Sequence, residues 1–331
     1  LTHLELNFFS IDNSTYFMNI LTCSRKPFTA LKRYYVCNLA NNKVFYIYQD
    51  MNGELPLKYI IGLKDELKNL NLSYKEFKTF LYETENDIRD AMKDSDVQNH
   101  ALLIASTDTS IALGKEIGIA TMAYDNPDFP NQSYSGVDML VEGFEEVDAD
   151  FLEKVYQRYH HIPWRILETE RCVVRELSLE DLDGLFELYA DEGMDDYTEP
   201  LYPYEEEKEF QRAYIDHMYR YYGYGLWLVF EKQTGQLIGR AGLEHREYND
   251  VVELELGYLI GKKYQGKGYA TEVCKAILDY AKEKAGFDRI NTVIQDGNVI
   301  SMELSKKLGF TQRESYDIDG KIMHRFIKEF V

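Results

Sequence analysis

The chain has 331 residues, 45% hydrophobic and 28% charged, which is length and apolar content for two globular cores and excludes wholesale disorder. Its 57 acidic against 37 basic residues give a formal charge of −20, which argues against nucleic acid as a partner and leaves cationic partners open. No run reaches the roughly 18–20 uncharged apolar residues of a membrane helix. Leu1-Thr2-His3-Leu4-Glu5 lacks a signal-like basic region, and Cys23, Cys37, Cys172 and Cys274 never approach CxxC spacing, so the expectation is a cytoplasmic protein without zinc or a disulfide scaffold.

The first elements read as alternating strands and helices. Val44–Tyr48 is a β-branched and aromatic run, and Leu57–Leu70 reads as a helix. Ser73–Asp94 reads as a second helix, with Ser73 and Glu76 forming a capping box. Ala101–Ala105 is a short apolar strand, Ser110–Ile117 a helix stopped by Gly118, and Ile119–Ala123 the next strand. Met139–Val141 and Asp150–Tyr159 complete the set as strand and helix. Short connections between such elements predict an α/β unit with a parallel, Rossmann-like sheet. The punctuation His160-His161-Ile162-Pro163-Trp164 places a domain boundary there, dividing 1–163 from 164–331.

Beyond the boundary the order changes. Cys172–Glu176 is a strand, Leu179–Tyr189 a helix capped by Ser178, and Tyr204–Tyr222 a second helix. Leu226–Glu231, Leu237–Leu243 and Val251–Ile260 form a meander. A helix over Gly266–Lys284, strand Arg289–Gln295, helix Val299–Leu308 and strands around Thr311–Tyr316 and Ile322–Ile327 follow. This is an α+β layout. Both parts are acidic: from Arg165 onward 22 basic face 33 acidic residues.

The segment Val251–Glu272 carries the most chemistry. A strand ends at Ile260, and glycines at 266 and 268 open a long helix. Without a Cβ the turn is tight enough for several N–H groups to converge at a helix N-terminus, a site suited to a pyrophosphate. Lys262, Lys263 and Lys267 add positive charge to it. The frame is not GxxxxGK[ST], and Thr271 stands where a dinucleotide fingerprint needs its third glycine. The bland alternative is an ordinary glycine-bearing turn with solvated lysines.

Gln265-Gly266-Lys267-Gly268-Tyr269-Ala270 matches [Q/R]xxGx[G/A], and Asn298-x-x-Ser301-x-x-Leu304-x-x-Lys307-Leu308-Gly309-Phe310 matches a second motif. On these two motifs the sequence resembles the GNAT superfamily of acetyl-CoA-dependent N-acetyltransferases over about Arg165–Phe330. The similarity is greatest to the branch acting on ribosomal proteins and small amines. The resemblance implies a splayed mixed sheet and a co-substrate, acetyl-CoA, with no metal. Its pyrophosphate would lie on Gln265, Gly266, Lys267, Gly268, Tyr269, Ala270 and Thr271. Its pantetheine would lie along Leu259 and Ile260, with Thr292–Gln295 as the opposite lip and Asn298 and Ser301 beside the thioester.

In such enzymes an amine attacks the thioester directly, which calls for a base and a proton donor for the thiolate. Glu255, in Glu255-Leu256-Gly257-Tyr258, is the candidate base through water, with Glu253 on the same strand face as the alternate. Ser305 occupies the position where many relatives carry a tyrosine acid, so Ser301 becomes the candidate donor. Each is equally readable as a surface carboxylate or a first-turn helix residue. Between Glu187 and Glu209 stand ten acids against Lys208 alone, with Tyr197, Tyr202 and Tyr204 interleaved. That segment is either a solvated loop or a negative mouth for a cationic acceptor: a polyamine, an aminoglycoside-like amine or a basic peptide terminus.

His160 and His161 fall in the linker and are expected to be exposed. No HxxxH or HExxH pairing links any histidines, and Cys274 reads as core. In the first half, Leu102–Ile119 resembles the fourth motif of the haloacid-dehalogenase superfamily, with Ser106 and Ser110 at the two acidic positions. Asp50-Met51-Asn52-Gly53 is the nearest nucleophile motif, and its second acid is Asn52. Serines make poor magnesium ligands, so the resemblance implies a scaffold without phosphatase activity. The leading expectation is an amine N-acetyltransferase in the second half; a non-catalytic acyl-CoA sensor and a first-half phosphatase are the rivals.

Overall fold

A computed structural model describes residues 35–38, 44–47, 57–67, 70, 77–137, 139–145, 147–248, 251–318 and 320–330. Strands β1 (Tyr35–Asn38) and β2 (Val44–Ile47) form an antiparallel pair. They precede β3 (Tyr59–Leu63), α1 (Lys64–Leu67), β4 (Lys78–Tyr82), α2 (Glu85–Ala91), α3 (Ser95–His100), β5 (Ala101–Ala105), α4 (Asp108–Ile117), β6 (Ala120–Tyr124), β7 (Leu140–Val141) and α5 (Ala149–Tyr159). Strands β3 to β7 make a five-stranded sheet in the order β4-β3-β5-β6-β7, parallel throughout.

Two expectations fail here. The segment read as one helix over 57–70 is mainly strand β3: its Tyr-Ile-Ile-Gly run is buried at every position because helices or loops cover both faces of a central parallel strand. Such a run lacks the alternation that would distinguish it from a buried helix. The helix expected over 73–94 is instead strand β4 followed by α2, whose capping box is Thr84 with Asp87. Ser73 and Glu76 lie outside the described residues. By contrast β5 has the expected bounds, and α4 ends as expected at Gly118, which takes the left-handed conformation (φ 71°). Apolar clusters fill both faces of the sheet, one centred on Leu102, Ile104 and Leu152, the other on Leu103, Ile111 and Ile88.

The second part contributes β8 (Arg165–Glu168), β9 (Cys172–Arg175), α6 (Leu182–Tyr189), α7 (Tyr204–Tyr214), β10 (Leu226–Glu231), β11 (Leu237–Tyr248), β12 (Val251–Ile260), α8 (Tyr269–Glu283), β13 (Arg289–Gln295), α9 (Val299–Lys307), β14 (Thr311–Ile318) and β15 (Lys321–Glu329). They build an eight-stranded sheet in the order β14-β15-β13-β12-β11-β10-β9-β8. Every neighbouring pair is antiparallel except β12 and β13. A core of Trp227, Leu228, Val273, Cys274, Ile277 and Phe326 packs this sheet against its helices. After α7 the coil widens into a π-helical segment, Ile215–Tyr222, where an unbroken α-helix was expected. A short 3₁₀ turn, Leu179–Asp181, stands at the entry to α6.

The two sheets are joined by a buried ion pair. Arg158 near the end of α5 donates both terminal nitrogens to Glu176 at 2.9 and 2.8 Å, and one of them also to the carbonyl of Tyr219. Trp164 donates its backbone N–H to Glu176 and lies under the Arg158 guanidinium, 3.9 Å from its ring centroid. His160 is half-buried rather than exposed: its ring packs tilted against Tyr156 and edge-on to Tyr159, and burial lowers its pKa to about 4. His161 is exposed.

Candidate active site

The site is organised by one departure from regular pairing. Strands β12 and β13 share a single pair of Cα partners, Glu255 with Asn291, and part on either side of it. Towards their C-terminal ends the facing edges around Leu259, Ile260 and Thr292–Gln295 form a gap, each strand remaining paired only with its outer neighbour. Leu259 and Ile260 are buried. The Ile260 carbonyl accepts from Gln265 Nε2 at 2.8 Å, so the glutamine of the motif fastens the strand end to the turn that follows.

That turn runs through Lys262–Tyr264 to Gly266 (φ 71°) and Gly268 (φ 84°), and α8 starts at Tyr269, three residues later than the sequence suggested. The two positive-φ glycines take up the first turn of the expected helix, and the freed N–H groups at its N-terminus supply an anion cradle. Arg171, which sequence reasoning missed, stiffens the cradle. It donates to the Lys267 carbonyl at 3.0 Å and to Glu272 at 2.7 Å, and it lies over the Tyr269 ring at 4.1 Å. Nothing local in the sequence points to a contact across 96 to 101 residues. Lys262 donates to the Glu192 carbonyl, and Lys267 stands 5.4 Å from the centre of the Tyr264 ring.

Alternation along the uninterrupted β11–β12 register puts Glu253, Glu255 and Leu259 on one face of the sheet, with Arg240, Glu244 and Arg246 of β11. Glu253 is buried and holds three partners: Arg289 at 3.1 Å, Asn291 Nδ2 at 2.8 Å, and Arg325. Glu255 lies directly across from Glu244, whose carboxylate accepts from Tyr214 at 2.8 Å. On this face burial first, and the Glu255 carboxylate second, push the Tyr316 hydroxyl up to about 12.

Tyr258 faces the other way. Its buried phenol sits against Ser301, and burial raises its pKa well above the ordinary tyrosine value. Ser301 is in the first turn of α9, where its backbone N–H donates to Asn298 Oδ1 at 3.2 Å, making Asn298 the N-cap. Glu255 and Ser301 therefore lie on opposite faces of the sheet, and the gap between β12 and β13 is the passage between them. Ser305 is buried in α9.

The acidic segment borders the cradle. Met194 is buried, and Gln265 Nε2 approaches its sulfur at 3.9 Å. A Cβ on Gly297 would meet the Tyr197 hydroxyl at 3.6 Å, so the segment reaches from the cradle to the start of α9. Asp195, Asp196 and Glu199 are exposed, as are Tyr197, Tyr202 and Tyr204, whereas Glu207 is buried against Gln211 and the backbone of Tyr202.

In the parallel sheet Ser106 and Ser110 are buried, and the Ser110 hydroxyl donates to the Thr107 carbonyl inside the cap of α4. Asp108 accepts from the backbone of Ser133 and Tyr134 and from the Ser133 hydroxyl, contacts that hold its pKa below the usual carboxylate value. It anchors a loop. Asp50 and Asn52 lie outside the described residues. Among the described residues no group of three or more His, Cys, Asp or Glu side chains could hold a metal ion, and no helix is long and apolar enough to cross a membrane.

A mixed sheet parted between two parallel strands, with a glycine-bearing turn at the end of one, is the frame of this site. Residues 171–311 match the acetyltransferase (GNAT) domain family. The chain thus carries, at residues 171–311, an acetyltransferase (GNAT) domain, and ribosomal-protein acetyltransferases are among its relatives. It is 26% identical over 166 residues to the [ribosomal protein uS5]-alanine N-acetyltransferase of Escherichia coli K12, covering 48% of this chain and 84% of that protein. It is 32% identical over 88 residues to the uncharacterized protein YkkB of Bacillus subtilis 168, or 27% of this chain, and spans about half of that relative's length (51%). The putative GnaT-family acetyltransferase of Bordetella pertussis is 22% identical, with 49% of this chain and 98% of that one covered and a TM-score of 0.43. The family match begins at Arg171 and does not bear on the haloacid-dehalogenase resemblance of the first half.

Proposed function

We propose that residues 164–331 transfer an acetyl group from acetyl-CoA to a primary amine of a cationic acceptor, and that residues 1–163 form a separate, non-catalytic domain. The observation that carries the reading is the parting of β12 and β13 beyond Glu255 and Asn291, ending at the Gly266–Gly268 cradle. Backbone N–H groups from Gln265 to Thr271 and the charge of Lys267 suit a pyrophosphate there. The edges at Leu259 and Ile260 suit the amides of an extended arm, and Asn298 and Ser301 flank its end.

The two faces divide the proton chemistry. Glu255, through a water, takes the proton of the attacking ammonium on one face. The amine nitrogen forms its bond to the thioester carbonyl carbon as the C–S bond breaks. Ser301, on the other face, delivers a proton to the departing thiolate and is reprotonated, through water, by the second proton that the acylated nitrogen loses. Glu253, held by two arginines and Asn291, positions β13 against β12 instead of acting as base. Exchange of Glu255→Gln tests the assignment. It should lower kcat at least a hundredfold, within the range for removal of a general base, and leave CoA affinity unchanged. An unaltered kcat would remove Glu255 from the mechanism.

A further inference from the structure

Between α7 and β10 the chain leaves the α-helical coil and runs through the π-helical segment Ile215–Tyr222. A coil closed by i→i+5 bonds stacks residues five positions apart on one side, where a regular α-helix sets them roughly 140° apart. Tyr214 and Tyr219 have this spacing, both are buried, and their rings meet edge to face at 5.5 Å. Their hydroxyls close on one residue: Tyr214 accepts from the Leu226 N–H at 2.7 Å, and Tyr219 donates to the Leu226 carbonyl. Gly225 makes room for them, since a Cβ there would stand 2.7 Å from the Tyr219 ring and 2.9 Å from the Tyr214 hydroxyl. Each tyrosine is also tied to a different part of the chain. The Tyr219 carbonyl accepts at 3.2 Å from Arg158, the arginine of the first domain that holds the buried carboxylate of Glu176. The Tyr214 hydroxyl donates to Glu244 Oε1 at 2.8 Å, Arg246 donates to Oε2 at 3.2 Å, and Glu244 is the Cα partner of Glu255. Two carboxylates directly opposite in an antiparallel pair repel. With donors on both its oxygens, Glu244 has that repulsion offset and is kept from swinging across its neighbour.

Resting on the proposed acetyl transfer, we propose that the first domain braces the catalytic face: Arg158 is a positioning residue that fixes the π-helical segment and, through Tyr219 and Tyr214, sets the carboxylate of Glu244 beside the candidate base Glu255. This gives residues 1–163 a part in the reaction without chemistry of their own. The path runs from α5 to the Glu244–Glu255 pair and includes no residue of the Gly266–Gly268 turn. Its loss therefore alters the transfer step and spares acetyl-CoA binding. The widened coil has its reason here too, since an unbroken α-helix would point one of the two tyrosines away from Leu226.

Arg158→Ala would strand the buried Glu176 charge, so the test uses milder exchanges in the full chain. Arg158→Lys keeps a positive charge beside Glu176 but lacks the planar fork that reaches Glu176 and the Tyr219 carbonyl together, and Tyr219→Phe keeps the ring and removes the hydroxyl. With acetyl-CoA and the fastest of a panel of cationic primary amines, each should lower kcat about tenfold and hold the KM for acetyl-CoA within about twofold of the parent. Backbone hydrogen exchange should quicken over 215–226 in both. Ile104→Val, buried in the core of the first sheet, is the control: it loosens that domain without touching the path, and should leave kcat and the exchange over 215–226 at parent values. Parent kcat in folded Arg158→Lys and Tyr219→Phe proteins, or an equal loss in Ile104→Val, would overturn the brace and leave the acetyl transfer standing. If the parent chain acetylates no amine at all, the proposed activity itself falls, and this inference with it.

Discussion

Replacing Gly268 by valine tests the cradle through its backbone. Gly268 has φ 84° and ψ 1°, in the left-handed region, where a residue with a Cβ is disfavoured by roughly 1–2 kcal/mol and a β-branched one by more. An added Cβ would meet Arg171 at 3.5 Å, an ordinary contact, so the penalty comes from the backbone conformation and not from a clash. Valine's further methyls would press on the same arginine, whose bonds to Lys267 and Glu272 hold the turn. A turn relaxed out of this conformation no longer aims its N–H groups at one point. The Kd for CoA, measured by titration calorimetry on the full chain, should rise at least tenfold, about 1.4 kcal/mol. Gly320→Val is the control: it has φ 79° with nothing within 4 Å of the added Cβ, so it carries the same strain in the β14–β15 hairpin. It should leave CoA affinity unchanged. Parent affinity in a folded Gly268→Val protein, or equal losses in both variants, would refute the reasoning.

Three further outcomes are expected. The kcat/KM for a cationic acceptor should fall as salt rises, since the field of the exposed acids is screened over about 8 Å at physiological ionic strength; Asp195→Asn with Asp196→Asn should raise KM more than it lowers kcat, and a salt-independent rate would contradict the negative mouth. Glu153 is buried against the Leu57 N–H and Gln157, and desolvation raises its pKa to about 7. Between its ordinary value and about 7 the unfolded chain binds fewer protons than the folded one, so this group's contribution falls as pH rises through that window; thermal melts of Glu153→Gln should gain on the parent between pH 5 and pH 8, and a pH-independent difference would contradict the assignment. The full chain should not hydrolyse p-nitrophenyl phosphate with magnesium, because on the haloacid-dehalogenase resemblance Ser106 and Ser110 would take the positions of the carboxylates; metal-dependent turnover would overturn that alignment.

Where local chemistry determines structure, the sequence was legible. β10 and β13 have the expected bounds, because each is a short apolar run closed by turn residues. The Gly266–Gly268 turn was visible because only glycine suits two positive-φ positions so close together. β3 was not, since a strand buried on both faces loses its period of two. The Arg171 brace, the Arg158–Glu176 pair and the Asn291–Glu253 contact were also hidden, for they join residues between 18 and 101 positions apart and leave no local pattern. The candidate base was legible as a pair of alternating glutamates. Only the fold separates them, by surrounding Glu253 with arginines and placing Glu255 beside Glu244.

The central claim is acetyl transfer to an amine at the Glu255–Asn291 waist, and it is tested most directly by incubating the full chain with acetyl-CoA and a panel of amines, reading acetylated products by mass spectrometry. The account predicts products from cationic primary amines in the parent chain and at least a hundredfold slower formation in Glu255→Gln, with CoA binding equal in both. Products at equal rates in the two proteins, or none from any amine while CoA binds, would contradict it.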